Sequence, residues 1–153
     1  MKIFYNQLTM FVVMFFVGIF LNPMSVLAYR TNDLYLSLTL IYGGLIMASN
    51  MIWSHQIVHF LNHGNMDKKI FISGIILSIF FMVIIRQQLF VDDTQWLKRM
   101  IGHHSTAITT TTKLLENKNN FKNNPKIYRL AKDIIYNQEV EIRFMKSFLN
   151  EIK

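Results

Sequence analysis

Met100, His103 and His104 stand at i, i+3 and i+4, a spacing that turns side chains toward overlapping directions on one helix. Gln138, Glu141 and Met145 stand at i, i+3 and i+7, again close to one face. Two such helices side by side would offer thioethers and imidazoles to a common point. That mixture suits copper, Cu(I) above all, whereas imidazole with carboxylate suits zinc or iron. The same residues also make sense without a metal: methionine fills irregular core gaps, and a buried histidine needs only a hydrogen-bond partner. A second set, His55, His59 and His63, repeats every four residues, with Met51 before it and Met66 after. Each step advances a helix by about 400°, so the three rings drift by only about 40° per step and could chelate a metal. Histidine is equally at home where a helix end meets lipid headgroups, like the neighbouring Trp53.

Catalytic patterns are missing from the sequence. It holds no Gly-rich phosphate loop, no H-E-x-x-H and no nucleophile elbow. Glu139 and Glu141 are two apart and point to different helix faces, so they do not pair for acid/base work. A di-iron bundle site would need Glu-x-x-His on two helices, and none is present. With no cysteine, thiol catalysis, thiolate metal sites and a disulfide framework are excluded. The expectation is a protein that is not an enzyme.

The elements that must position these residues follow from where the apolar residues lie. Of 153 residues 52% are hydrophobic and only 16% charged, too apolar for an ordinary small soluble domain. Three uncharged stretches account for the excess: about 8–28, 34–53 and 70–85. At about 1.5 Å per residue the first two match the roughly 30 Å hydrocarbon core of a bilayer. The third is short, but Lys68, Lys69 and Arg86 at its ends can snorkel to the interface. Asn22-Pro23 should kink or end the first helix, and a cleavable signal peptide is the competing reading of that stretch. The expected protein is therefore multi-pass and integral to a lipid bilayer, with a membrane region over 1–91 and a C-terminal domain over 92–153. Most of the charge, which nets +7, lies from Arg86 onward. Acids and bases are mixed there without aromatic platforms, which argues for solubility and against nucleic-acid binding.

From Asp92 onward the pattern turns helical. Leu97, Ile101, His104, Ile108, Thr111 and Leu115 form one stripe, with Asp92, Asp93 or Thr94 available as its cap. Glu116 to Pro125 reads as an Asn-rich loop, with Pro125 opening the next helix. Ile127, Ala131, Ile134, Gln138, Glu141, Ile142, Met145 and Leu149 form the second stripe. The fold class is all-α, three transmembrane helices followed by an antiparallel helical hairpin. A hairpin cannot bury both stripes alone, so a homodimer or higher oligomer completing a four-helix bundle, or docking on the membrane helices, is expected.

WLKRMIGHHSTAI, Trp96 to Ile108, followed by LAKDIIYNQEVEIRFMKSFL, Leu130 to Leu149, resembles the family called domain of unknown function 305. Its motif is M-I-x-H-H-x-x-A-I with a later Q-x-x-E-I-x-x-M. Arg86-Gln87-Gln88 and Asp92 or Asp93 look like the stretch that precedes this domain in membrane-anchored members. The resemblance implies a ferritin-like half-bundle, an association with copper, and roles for Met100, His103, His104, Gln138, Glu141 and Met145. Two positions depart from the pattern: Gly102 stands where many members have proline, and Thr110, a hard oxygen donor, where many have methionine.

The resulting expectation is a membrane protein whose C-terminal domain binds copper or another soft transition metal through these six residues, for storage or hand-off, with His55, His59 and His63 as a secondary candidate. Its rivals are a structural or assembly protein without metal, and an oligomeric metal transporter.

Overall fold

The chain is all-α in a computed structural model that describes residues 2–116 and 124–152. Helices run over Lys2–Phe20 (α1), Pro23–Val26 (α2), Leu38–His63 (α3), Lys68–Arg86 (α4), Asp93–Glu116 (α5) and Pro125–Glu151 (α6), with a 3-10 turn at Thr31–Asp33. Most of the Asn-rich loop expected between Glu116 and Pro125 falls at 117–123, outside the described residues. The chain divides into two compact units, Met1–Asn22 with Leu38–Val91, and Pro23–Ser37 with Asp92–Lys153. Pro23–Ser37, which the apolar pattern assigns to the membrane region of 1–91, thus packs with the C-terminal helices.

In the first unit α3 lies between α1 and α4 and packs on both. Small residues make this possible. A Cβ on Gly44 would come 2.9 Å from Ile19 Cγ1 and 3.0 Å from the Phe15 carbonyl, and one on Gly74 would come 2.9 Å from the Trp53 amide. Ala48, Ser49 and Ser78 are buried at the same seams, both hydroxyls returning to their own helix. Such close approach through Gly, Ala and Ser is how helices pack where surrounding lipid removes the hydrophobic drive to associate. Asp67 caps α4, its carboxylate accepting from the Lys69 and Ile70 amides.

Among the described residues, only one of the three expected spans lies on a helix long and apolar enough, by length and composition, to cross a membrane: α4, over Lys68–Arg86. Just 11% of its apolar window is buried within the chain, unlike the core helix of a soluble protein. The multi-pass expectation is corrected at the other two. The 8–28 stretch is cut short because α1 ends at Phe20, where Asn22 Nδ2 donates to the Gly18 and Ile19 carbonyls and Pro23 has no amide to continue. The 34–53 stretch starts four residues later as helix and runs on to His63. Glycines, serines and asparagine, then His55, Gln56 and His59, dilute its apolarity.

In the second unit α5 and α6 form the expected hairpin. Leu97, Ile101, Ile108, Ile142, Met145 and Leu149 make its core, with Tyr35, Met100 and Ile135 packed against it. Asp92 and Asn124 cap the two helices, accepting from the Gln95 and Ile127 amides at 2.7 and 3.4 Å, and Pro125 occupies the first turn of α6, where its missing N–H costs nothing. The segment 23–37 lies along α5, with the Thr106 hydroxyl donating to the Met24 carbonyl at 3.2 Å. Its anchor is Asp33, 1% exposed, which accepts from Ser105 Oγ at 2.7 Å and pairs with Lys146 Nζ at 2.6 Å.

Candidate metal centre

On α5 the four-residue step from Met100 to His104 places both on the side of the hairpin core, next to buried Leu97 and Ile101. On α6 Glu141 and Met145 take the matching step, Met145 being buried and Glu141 exposed. These four residues line one cavity of about 410 Å³, whose other walls are apolar: Trp96, Leu97, Phe144 and Phe148. His103 is one residue off the face and exposed. Gln138, half-buried, is not among the residues lining the cavity. The structure thus brings together four of the six residues expected from the sequence and leaves two outside.

His104 is held at both ring nitrogens. Nδ1 lies 2.8 Å from the Met100 carbonyl and Nε2 lies 2.6 Å from Glu141 Oε2. A carbonyl and a carboxylate both accept, so the two bonds are made together when the ring carries both protons. A metal bound at Nε2 would replace the proton shared with Glu141, while the Nδ1 bond to a backbone carbonyl is the partner that orients metal-ligating histidines. Among the described residues no three His, Asp or Glu side chains are grouped so that they alone could hold a metal ion. A site here therefore has to use the sulfur of Met100 and Met145.

Surrounding charges are engaged elsewhere. Glu139 pairs with Arg30 at 3.3 Å and with Arg143 at 3.9 Å. Burial lowers the pKa of the Arg99 guanidinium below its ordinary value, and its Nη1 contacts the Met24 sulfur. Thr110, in the place of a family methionine, is exposed and donates to the Thr106 and Ala107 carbonyls of its own helix, both at 3.1 Å.

The second histidine set does not act as three. His55 Nδ1 lies 3.1 Å from Gln7 Nε2, His59 Nδ1 lies 2.9 Å from the Asn65 carbonyl, and His63 stacks on His59 with ring centroids 4.6 Å apart. His55 and His59 line a cavity of about 470 Å³ and His63 does not. Sequence reasoning missed Gln7, which stands just before the first apolar stretch, and the Asp33, Ser105 and Lys146 cluster. A lone acid between two apolar stretches was the one signal available for Asp33.

Comparison with known proteins adds the family. The model for the domain of unknown function DUF305 matches residues 86–151, the region that contains α5 and α6. Over 148 residues, 97% of this chain and 94% of the other, the sequence is 35% identical to an uncharacterized protein of Acanthamoeba polyphaga mimivirus. No solved structure matches. With a domain match that spans α5 and α6 and a relative alike along nearly its whole length, the chain belongs to the DUF305 family.

Proposed function

We propose that this is a membrane-anchored protein that holds copper in the cavity of its C-terminal hairpin, for storage or transfer and without catalysis. The observation that carries the metal reading is the shared cavity of Met100, His104, Glu141 and Met145. Two thioethers and one imidazole suit Cu(I), a soft ion that prefers sulfur and nitrogen to oxygen ligands. Met100, Met145 and His104 are the residues that would hold it, with Glu141 released from His104 Nε2 as the metal takes that position. Anchoring rests on α4, whose Ile72, Ile76, Ile79, Phe80 and Val83 are all more than half exposed, an arrangement suited to lipid and costly in water.

Anaerobic titration of the detergent-purified chain with Cu(I) against a chromophoric chelator tests this. Replacing Met100→Leu and Met145→Leu keeps core volume and removes both sulfurs. It is expected to weaken this site by about tenfold or more, the scale on which metal-site partners act. Equal stoichiometry and affinity in the double variant would overturn the reading. A structural role without metal is the second reading, favoured by His104 being satisfied at both nitrogens and by Thr110 bonding only to its own helix. It predicts no Cu(I) binding by the hairpin in either form.

A further inference from the structure

The first unit contains a cavity of about 470 Å³ lined by Gln7 and Met10 of α1, His55 and His59 of α3, and Met66 and Asp67 at the start of α4, among others. Its polar groups do not balance. Gln7 is 8% exposed, and its Oε1 has no hydrogen-bond partner among the described residues, although its Nε2 is 3.1 Å from His55 Nδ1. An amide N–H can only donate, so His55 Nδ1 accepts and the ring proton sits on Nε2. His59 has the opposite tautomer: Nδ1 is 2.9 Å from the Asn65 carbonyl, which only accepts, so Nε2 carries a bare lone pair. Two thioethers add further lone pairs, whereas the Asp67 carboxylate is engaged as the cap of α4. The Gln56 side-chain oxygen, by contrast, is matched, accepting from the Asp67 amide at 3.1 Å. A buried amide oxygen left unmatched costs about 1–3 kcal/mol in general, so its retention asks for an explanation.

We infer that this cavity is a second copper site, in which His59 Nε2 and the sulfurs of Met10 and Met66 take Cu(I) and Gln7 fixes the ring of His55 beside them. The unmatched Gln7 Oε1, the lone pair on His59 Nε2 and the two sulfurs suit a cation. Hard cations such as Mg²⁺ or Ca²⁺ are held chiefly by carboxylates, and the one carboxylate of this lining, Asp67, already caps α4 through the Lys69 and Ile70 amides. Zinc prefers His, Cys and carboxylate ligands, and no group of three His, Asp or Glu is gathered anywhere among the described residues. Imidazole with thioether remains, and that pair selects Cu(I). His59 already has the bond to a backbone carbonyl that orients metal-ligating imidazoles. The three-histidine chelate that the spacing suggests gives way to a mixed site, since His63 stacks on His59 outside the cavity.

The inference does not depend on the hairpin binding metal. The full chain carrying Met100→Leu and Met145→Leu is titrated anaerobically with Cu(I), and then the same chain with Met10→Leu, Met66→Leu and His59→Gln added. One Cu(I) is expected to remain bound in the first and to be lost, or weakened by about tenfold or more, in the second. No Cu(I) bound in the first, or equal binding in both, overturns the inference whatever the wild-type hairpin does. Copper X-ray absorption on the first chain gives a check that needs no further variant: sulfur and nitrogen neighbours are expected, and oxygen and nitrogen alone would overturn it.

Discussion

The two units of this chain bury their apolar residues to different extents. In the second, the interior is Leu97, Ile101, Ile108, Ile142, Met145 and Leu149, and most charges lie outside. In the first, Ile19 and Ala48 are the only buried hydrophobics among the described residues. The seams hold Gly18, Gly44, Ser49, Gly74 and Ser78, while Val13, Phe16, Ile76 and Phe80 are more than half exposed. A hydrophobic core drives folding where the surroundings are water. Where the surroundings are apolar there is nothing to gain by hiding isoleucine, and close backbone approach with satisfied hydroxyls takes over. The same contrast bears on the polar groups. His104 in the second unit is satisfied at both nitrogens, whereas Gln7 in the first keeps an unmatched oxygen.

The largest effect expected from this contrast is at the buried ion pair of the second unit. Lys146→Ala leaves Asp33 with only Ser105, and a buried charge stripped of its partner costs about 3–5 kcal/mol. The two tryptophans, Trp53 and Trp96, report one unit each. Urea unfolding followed by Trp96 in a Trp53→Phe background should show the loss, and Trp53 in a Trp96→Phe background should not. Replacing both partners, Asp33→Asn with Lys146→Met, should recover most of the stability. Equal loss at both tryptophans would break the division into two units.

Why the first contrast was hidden in the sequence is instructive. The apolar run located α4, and periodicity and caps located α5 and α6: Asp92 and Pro125 mark the starts of these two helices by chemistry that needs no tertiary context. The stripes also placed His104 and Met145 inward. Ile127, counted in the second stripe, is 47% exposed, because the first turn of α6 reaches past the core. The segment 23–37 was not legible, since its place beside α5 is fixed by Asp33 reaching Ser105 and Lys146, 72 and 113 residues away. Hydropathy counts residues in a window, and such long-range pairs leave no trace in it. For the same reason α1 and α3 read as spans although the helix limits and polar positions differ.

The second largest effect tests what surrounds the first unit. Ile76 is 61% exposed near the middle of α4. If that face meets water, Ile76→Lys should change stability by no more than about 0.5 kcal/mol, as for an ordinary surface site. Facing lipid, the same substitution costs about 2.5–3.5 kcal/mol of membrane insertion. Co-translational insertion into microsomes, scored by resistance to carbonate extraction, separates the outcomes. Undiminished membrane retention would remove α4 as the anchor.

The smallest effect is a difference of sign between two glycines. Gly44 sits where a Cβ would press on Ile19 and on the Phe15 carbonyl at 2.9 and 3.0 Å, and a carbonyl of a packed helix cannot step aside. Gly44→Ala should therefore destabilise the first unit by about 1–3 kcal/mol, the usual cost of overpacking. Gly102 lies in the interior of α5, and its added Cβ would meet the Asp33 carbonyl at 3.8 Å and the Met24 sulfur at 3.9 Å, ordinary contact distances. There the helix-interior penalty of glycine is relieved with nothing displaced, so Gly102→Ala should stabilise the second unit by about 0.5–1 kcal/mol. Thermal unfolding of both variants in the same detergent, read at Trp53 and Trp96, checks the pair. Opposite signs follow only if the first unit is held by backbone approach and the second by side-chain packing, so equal signs would dissolve the contrast on which both readings of the molecule depend.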